Sequence, residues 1–537
     1  MSSRVKATGC LALLFCTALL PAQQPVQSTP LGRKIAALVG APDVVRDHWG
    51  VAVYGLDGRL LYGLNEGQLF QPASNAKLFT TAAALAVLGE NASFQTDIIG
   101  RGVWSANALK GDVILRGGGE PNLSGRALPY AGGEDPGGAP PLRYLEQMAD
   151  TVAATGLKTI AGDIVGDDTF FPWEPYPRDW ASDDLVWGYG APVSALTVND
   201  NQIKATVSPS QQGAPALIAL DPAVPYYTVV NTVMTGPPKS GTSVQFERQV
   251  GSKVLRVFGT IAAGDAADVE EIAIQDPAEY AAIAFKAMLE ARGIAVQGTA
   301  RAEHRLSQDA QAFAAETHVD APGLRSLGPN EGVGRARSLT FTSCDHCDPK
   351  TMPVEKILAT HRSHPLNDDI VMTNKVSQNL HVELLLHHLG MQYGEDGSTA
   401  QGVRVVRAFL LRAGLDPQDF VFFDGSGMSG HDLVTPRAAA KILLYATKQP
   451  WGELYRSSLP IAGVDGTLEG RFAKSPLKGK LHAKTGTTGE SRALSGYVEC
   501  ASGRTVVFSI MVGNHPPSTS FDRTVMDKIV EAIAAGN

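Results

Sequence analysis

Cysteine is scarce in this chain. Five occur among 537 residues, and two of them, Cys10 and Cys16, fall in an apolar N-terminal stretch. The other three, Cys344, Cys347 and Cys500, cannot form a disulfide framework for a chain this long. An excess of positive charge is also lacking. Lys and Arg number 46 against 54 Asp and Glu, a formal net charge of −8. That balance argues against a nucleic-acid binder, which needs a positive face for the phosphates. Beyond residue 20 no apolar run is long enough to span a bilayer. Internal repeats and low-complexity segments are missing as well. Hydrophobic residues at 44% and charged residues at 19% exclude both a disordered chain and a coiled coil. The length points to about three domains.

The N-terminus has its own character. Arg4 and Lys6 precede Ala7 to Leu20, which carries no charge, and Leu20-Pro21-Ala22 follows. This pattern predicts a secretory signal peptide over residues 1–22, cleaved near Ala22, and hence an exported, periplasmic protein. Bulky Phe15 before Cys16 disfavours lipid attachment there. Cys344 and Cys347 have the C-x-x-C spacing of a redox dithiol or half a zinc site. No second pair exists for zinc and no thioredoxin-like strand–helix follows, so a local disulfide pinning a surface loop is the better reading.

Along the body of the chain, Leu31 to Val39 reads as a helix. Trp49 to Tyr54, the Asp57-Gly58 turn and Leu60 to Leu64 read as a β-hairpin. A helix rich in Ala, Leu and Thr opens near Ser74 and stops at Gly89. From about Phe94 to Thr340 short strand-like runs alternate with glycine-rich loops. Helical texture is expected to return from about Val354, with helices over Asn379 to Leu389, ended by Gly390, and over Gly402 to Ala413. Three strands follow, Lys480 to Gly486, Leu494 to Cys500 and Thr505 to Val512, and then a helix from Phe521 to Ala534. The expected fold is therefore α/β (α+β). An antiparallel sheet flanked by helices is built from residues 30–95 and 353–537, and 96–352 form a β-rich insertion of two subdomains, with about 103–182 nested in the rest.

Three short motifs carry chemistry. In Ser74-Asn75-Ala76-Lys77, positions i and i+3 share a helix face. A serine hydroxyl needs a base, and a lysine whose ammonium is disfavoured by burial can serve. Ser377-Gln378-Asn379 sits in a turn before a helix, where Ser377 and Asn379 can both enter one cleft. Lys484-Thr485-Gly486 ends a strand, where Lys484 can line a cleft edge and Gly486 admits close backbone approach. Singly, each reads better as a helix cap or a strand end. His361, His364, His387 and His388 lie near one another in sequence without a metal-ligand spacing and are read as solvated helix histidines.

Together and in this order the motifs resemble those of the penicillin-binding proteins and class A β-lactamases. Three hundred residues separate Lys77 from Ser377, which a β-lactamase does not have there. The chain resembles the class C low-molecular-mass penicillin-binding proteins, the D-alanyl-D-alanine carboxypeptidase/endopeptidase family, which inserts β-rich domains between the first two motifs. Further stretches resemble that family: Gly111 to Leu123, Gly162 to Phe171, Tyr189 to Leu196, the Asp424-Gly425-Ser426-Gly427 loop and Leu459 to Leu468. The glycines of these last two are read as turns. Gln378 departs from the Asp or Asn usual at that position, and about Arg305 to Met352 matches nothing in the family.

The resemblance implies a penicilloyl-serine transferase fold and acyl transfer without a cofactor or metal. Lys77 would take the proton of Ser74, which attacks the penultimate D-Ala carbonyl of a peptidoglycan stem peptide. The N–H groups of Ser74 and Thr487 would hold the oxyanion. Ser377 would pass a proton to the departing amine. Asn379 would hold a substrate amide, and Lys484, remaining charged, with Thr485 would attract the terminal carboxylate of the peptide or of an inhibiting β-lactam. Gly486 and Thr487 would complete the substrate wall. The alternative is a non-catalytic relative that only binds peptidoglycan or a partner, which would be expected to have lost a motif side chain.

Overall fold

Strands whose residues are apolar on both alternating faces must be covered on both sides. Trp49, Val51 and Val53 point one way and Ala52 and Tyr54 the other. Val506, Phe508, Ile510 and Val512 alternate with Val507 and Met511 in the same manner. The computed structural model describes residues 29–133, 139–307, 312–319, 353–517 and 519–537. In it these strands lie at the centre of a five-stranded antiparallel sheet. Its order is Leu481–Thr487, Arg492–Glu499, Thr505–Gly513, His48–Gly55 and Leu60–Leu64. The helices Pro30–Val39 and Phe521–Gly536 cover one face. On the other face lies a core shared with the helices Lys77–Val87, Asn379–Tyr393, Thr399–Arg412 and Pro436–Ala446.

Residues between the first two motifs build three further sheets. In the largest, of seven strands, Gln95–Trp104 and Ala108–Gly117 form an antiparallel pair, and Ile164–Pro172 and Ala300–Arg305 add in parallel. Two three-stranded sheets follow, one from Thr228–Gly236, Ser243–Glu247 and Val254–Ala262, the other from Gln202–Ser208, Leu217–Asp221 and Asp268–Ala273. They share one core with two helices that the texture of this region did not reveal, Arg143–Ala154 and Pro277–Ala291. The second had a start signal, Asp276-Pro277 with Glu279 in the first turn, and Asp276 does cap it by accepting from the Glu279 N–H.

Two expectations need correction. Helical texture does not return at Val354, because Val354–Arg362 is a strand paired along Gln95–Trp104. Helices resume at Leu366–Val376. Gly390 does not end its helix, which runs on to Tyr393. A β-carbon on Gly390 would lie 2.7 Å from the Gly402 nitrogen, and one on Gly402 would lie 2.3 Å from the Leu386 carbonyl oxygen. The two glycines are where neighbouring helices touch backbone to backbone, so neither is punctuation. The remaining expected elements fall within one to two residues of the structure, except the helix expected from Gly402, which begins three residues earlier at Thr399. The signal peptide, Cys10, Cys16 and the Cys344/Cys347 pair lie outside the described residues. Cys500 is a buried free thiol.

Candidate active site

The first motif begins as a 3-10 turn, Ala73–Ala76, which runs directly into the Lys77–Val87 helix. Ser74 therefore stands at the mouth of a helix, and Lys77 lies one turn inside, fully buried. The second motif occupies the joint between two helices. Ser377 closes Leu366–Val376 in a left-handed conformation, φ 60°. Gln378 caps the next helix, its side-chain oxygen accepting from the Leu380 N–H at 2.8 Å. Its amide nitrogen donates to Asp200 at 3.3 Å, on the inserted region. The third motif is the edge strand Leu481–Thr487 of the main sheet. That strand approaches the first motif directly. Asn75 donates to the Lys484 carbonyl at 3.1 Å, and a β-carbon on Gly486 would lie 3.0 Å from the Ser74 nitrogen. Gly486 is thus a close-approach glycine, and Thr487 follows it at the strand end.

The structure brings the polar side chains of all three motifs into one cleft. Lys77 Nζ lies 2.9 Å from Ser74 Oγ, 2.6 Å from Asn379 Oδ1 and 2.9 Å from the Ser426 carbonyl oxygen. Lys484 Nζ lies 2.8 Å from Ser377 Oγ and 3.0 Å from the Thr485 carbonyl oxygen. Thr485 Oγ1 bonds Thr467 Oγ1 at 2.7 Å. The Asn379 amide nitrogen donates to the Tyr189 carbonyl at 2.8 Å and to Met428 Sδ at 3.0 Å, which orients its oxygen toward Lys77. Asn379 therefore steadies Lys77 in the free cleft, a use that the sequence reading, which gave it to a substrate amide, did not include.

Burial and charge decide the two lysines. Burial lowers the Lys77 pKa from 10.5 to about 7, against the pull of Asp424, Glu383 and Asp432. An amine near neutrality has two N–H donors and one lone pair. Two of its three partners, the Asn379 and Ser426 carbonyl oxygens, can only accept. The lone pair is left for the Ser74 hydroxyl, which is the geometry of a base. Lys484 is buried too, and burial followed by the neighbouring Lys77 pushes its pKa well below 10.5. The expectation that Lys484 remains charged thus meets an environment that opposes the charge.

Sequence reasoning missed Ser426, Glu383 and Asp424. The Asp424–Gly427 loop had been singled out, but only for its glycines. Gly427 is indeed a turn, φ 83°, and a β-carbon there would lie 1.8 Å from the Ala73 carbonyl oxygen. Glu383 follows Asn379 by four residues on the same helix face, a spacing that could have pointed to it.

The histidine reading is corrected. Only His387 and His388 are helical and both are buried, bonded to the carbonyls of Gly397 and Gly119. His361 lies on a strand against Glu120, and His364 lies in a loop against Asp368. Among the described residues no group of three or more His, Cys, Asp or Glu is placed to hold a metal ion.

Residues 31–320 and 348–535 match the D-Ala-D-Ala carboxypeptidase 3 (S13) family. A D-alanyl-D-alanine carboxypeptidase of Actinomadura sp. is 31% identical over 94% of this chain and 85% of its own length. The D-alanyl-D-alanine carboxypeptidase DacB of Haemophilus influenzae is 25% identical over 88% of this chain and 86% of its own. The crystal structure of penicillin binding protein 4 from Haemophilus influenzae has a similar fold, with a TM-score of 0.74 at 21% identity, covering 93% of this chain and 98% of that one.

Proposed function

Because this chain belongs to the D-Ala-D-Ala carboxypeptidase 3 (S13) family and is a serine-type carboxypeptidase, a hydrolase, we propose that it removes D-Ala from peptidoglycan stem peptides through an acyl-enzyme on Ser74. The observation that carries this reading is the neutral-leaning Lys77, whose two donors are taken by carbonyls and whose third contact is Ser74 Oγ at 2.9 Å.

The Ser74 oxygen attacks the penultimate D-Ala carbonyl while its proton passes to Lys77. The Ser74 and Thr487 amides receive the oxyanion; each such donor is worth about 10²–10³ in rate. What supports the pairing is the close approach of Gly486 to the Ser74 nitrogen. The proton that Lys77 took is passed on to the leaving amine by way of Ser377, which Lys484 contacts, so that Lys77 is neutral again when the amine departs. Thr485, Gly486 and Thr487 line the strand along which the substrate lies, and Lys484 meets its terminal carboxylate. Asn379 positions Lys77, and it binds a substrate amide by exchanging its Tyr189 contact. Water then hydrolyses the ester, restoring Ser74. The same step opens a cross-link when the leaving amine belongs to a second stem peptide, which is D,D-endopeptidase action. β-Lactams acylate Ser74 in the same way. The complete set of motif side chains disfavours the non-catalytic alternative.

Export to the periplasm belongs to this proposal and rests on the N-terminal leader; among the described residues no helix is long and apolar enough to cross a membrane. So does the division into a split catalytic unit and an insertion. It is supported by the five-stranded sheet, which draws only on residues 48–64 and 481–513; because the strand Val354–Arg362 pairs with Gln95–Trp104, the proposal counts it with the insertion and takes the second boundary at about 363.

The test is mass spectrometry of pentapeptide-rich peptidoglycan fragments incubated with the purified protein. Conversion to tetrapeptides by wild type and none by Ser74→Ala is expected. Intact pentapeptides with wild type, or equal conversion by Ser74→Ala, overturns the proposal.

A further inference from the structure

Behind Lys77 lies a buried group of carboxyls that the acyl transfer itself does not use. Glu383 is fully buried on the Asn379–Tyr393 helix, and Asp424 and Asp432 are buried on the loop between the strands Phe420–Val421 and Leu433–Val434. Their bonding is directed at one stretch of backbone. Glu383 accepts from the N–H groups of Gly425 (3.0 Å) and Ser426 (2.7 Å). Asp424 accepts from Gly427 N–H (2.7 Å), Ser429 N–H (2.8 Å), Ser426 Oγ (3.3 Å) and the Trp180 indole (2.9 Å). Thr80, on the Lys77 helix, donates to the Gly425 carbonyl at 3.0 Å. The peptide unit after these amides carries the Ser426 carbonyl, the acceptor 2.9 Å from Lys77 Nζ.

We propose that Glu383 is a positioning residue for the reaction: by gripping the Gly425 and Ser426 amides it holds the Ser426 carbonyl on Lys77, so that the amine's lone pair stays turned to Ser74. The inference rests on Lys77 being the base. Without the grip the peptide unit that carries the Ser426 carbonyl is held only from its far side, by Asp424 on the Gly427 N–H; the carbonyl then sits less firmly on Lys77, the loosened N–H of Lys77 can turn toward Ser74, and the lone pair loses its aim. A negative charge on Glu383 also favours the ammonium form of Lys77. The charged and titratable groups facing Lys77 are Glu383 on its helix, Asp424 and Asp432 on the loop, and Lys484 on the strand. Burial, then Asp424, raise the Glu383 pKa to about 8, so near neutrality Glu383 and Lys77 compete for a proton.

Two substitutions separate grip from charge. Glu383→Gln keeps the oxygen that accepts both amides and cannot ionise. Glu383→Ala removes both functions. The measurement is the rate of acylation by a fluorescent penicillin per competent site, from pH 5.5 to 9.5, with the competent fraction taken from the labelling end point. For Glu383→Gln the expected result is a plateau near that of wild type, with the acid limb moved to lower pH by about half a unit or more. For Glu383→Ala the plateau falls by roughly tenfold to a hundredfold, the cost of a misdirected group. If both variants lose competent sites yet keep the wild-type rate and acid limb per site, Glu383 serves folding alone and the inference is overturned. A Lys77→Arg control isolates the premise: acylation at the wild-type rate there would sink the base assignment, whereas a dead Lys77→Arg beside unaffected Glu383 variants would sink only the role of Glu383.

Discussion

Replacing Lys77 by Met should destroy acylation and at the same time change how stability depends on pH. In the folded chain Lys77 has its pKa lowered to about 7, against 10.5 for a free lysine. The unfolded chain therefore binds a proton there that the folded chain holds less well. This is a destabilisation, present in full below pH 7 and relieved as the pH rises from about 7 to 10.5. At about 1.4 kcal/mol per unit, it amounts to on the order of 4 kcal/mol at pH 7. Methionine removes that term, but it orphans the buried Ser426 carbonyl and the partly buried Asn379 Oδ1, at up to about 1–3 kcal/mol each. The two effects nearly offset at pH 7, so a single comparison there decides nothing. Their pH dependence differs, because an orphaned carbonyl does not titrate. Relative to wild type, the variant should lose on the order of 3 kcal/mol of its standing between pH 6.5 and 9.5. Urea unfolding of both chains at pH 6.5, 8.0 and 9.5 measures this, and titrations common to both cancel in the difference. A stability difference flat across that range would refute a depressed Lys77 pKa, and with it the reason this lysine can act as a base at neutral pH.

Lys484→Ala should lower kcat/KM for a peptide with a free terminal carboxylate by roughly ten- to a hundredfold, the worth of a charge-assisted hydrogen bond. The C-terminal amide of the same peptide should be affected much less, and equal slowing of both would assign Lys484 to proton relay through Ser377. Gly427→Ala places a β-carbon 1.8 Å from the Ala73 carbonyl in a left-handed conformation, and should cost about 2–5 kcal/mol and slow acylation. Gly503→Ala, equally left-handed at φ 82° but with nothing within 4 Å, should cost only about 1–2 kcal/mol, and matching losses at the two positions would defeat the steric argument. His304 is carried up to about 10 by its bonds to Asp168 and Asp276, against its burial. Its stabilisation is complete below pH 6.5 and lost as the pH rises through about 10, so the Tm deficit of His304→Gln should shrink between pH 7 and 10, and a constant deficit would count against it.

The elements that position the site were legible wherever a short-range signal dictated them. The doubly apolar strands around Val51 and Phe508, the Asp57-Gly58 turn and the helix after Lys77 follow from alternation, turn chemistry and composition. Their bounds agree with the structure to within a residue or two. The motif side chains were readable as well, because each sits at an element boundary that local sequence marks. What was not legible depends on partners distant in sequence. Val354–Arg362 is a strand because Gln95–Trp104 offers it an edge, roughly 250 residues earlier. Gly390 reads as a stop until Gly402 of the next helix is seen against it. His387 and His388 look solvated until the packing of their helix buries them. Ser426 carried no signal of its own, since it acts through a main-chain carbonyl that any residue would supply.

Intact-mass and peptide-mapping mass spectrometry of the protein after exposure to penicillin tests the central claim most directly. The account predicts one penicilloyl group per chain, carried on the peptide containing Ser74 and missing from Ser74→Ala. An adduct mapped to any other residue, an equally labelled Ser74→Ala, or a folded wild type that takes up no penicillin would contradict it.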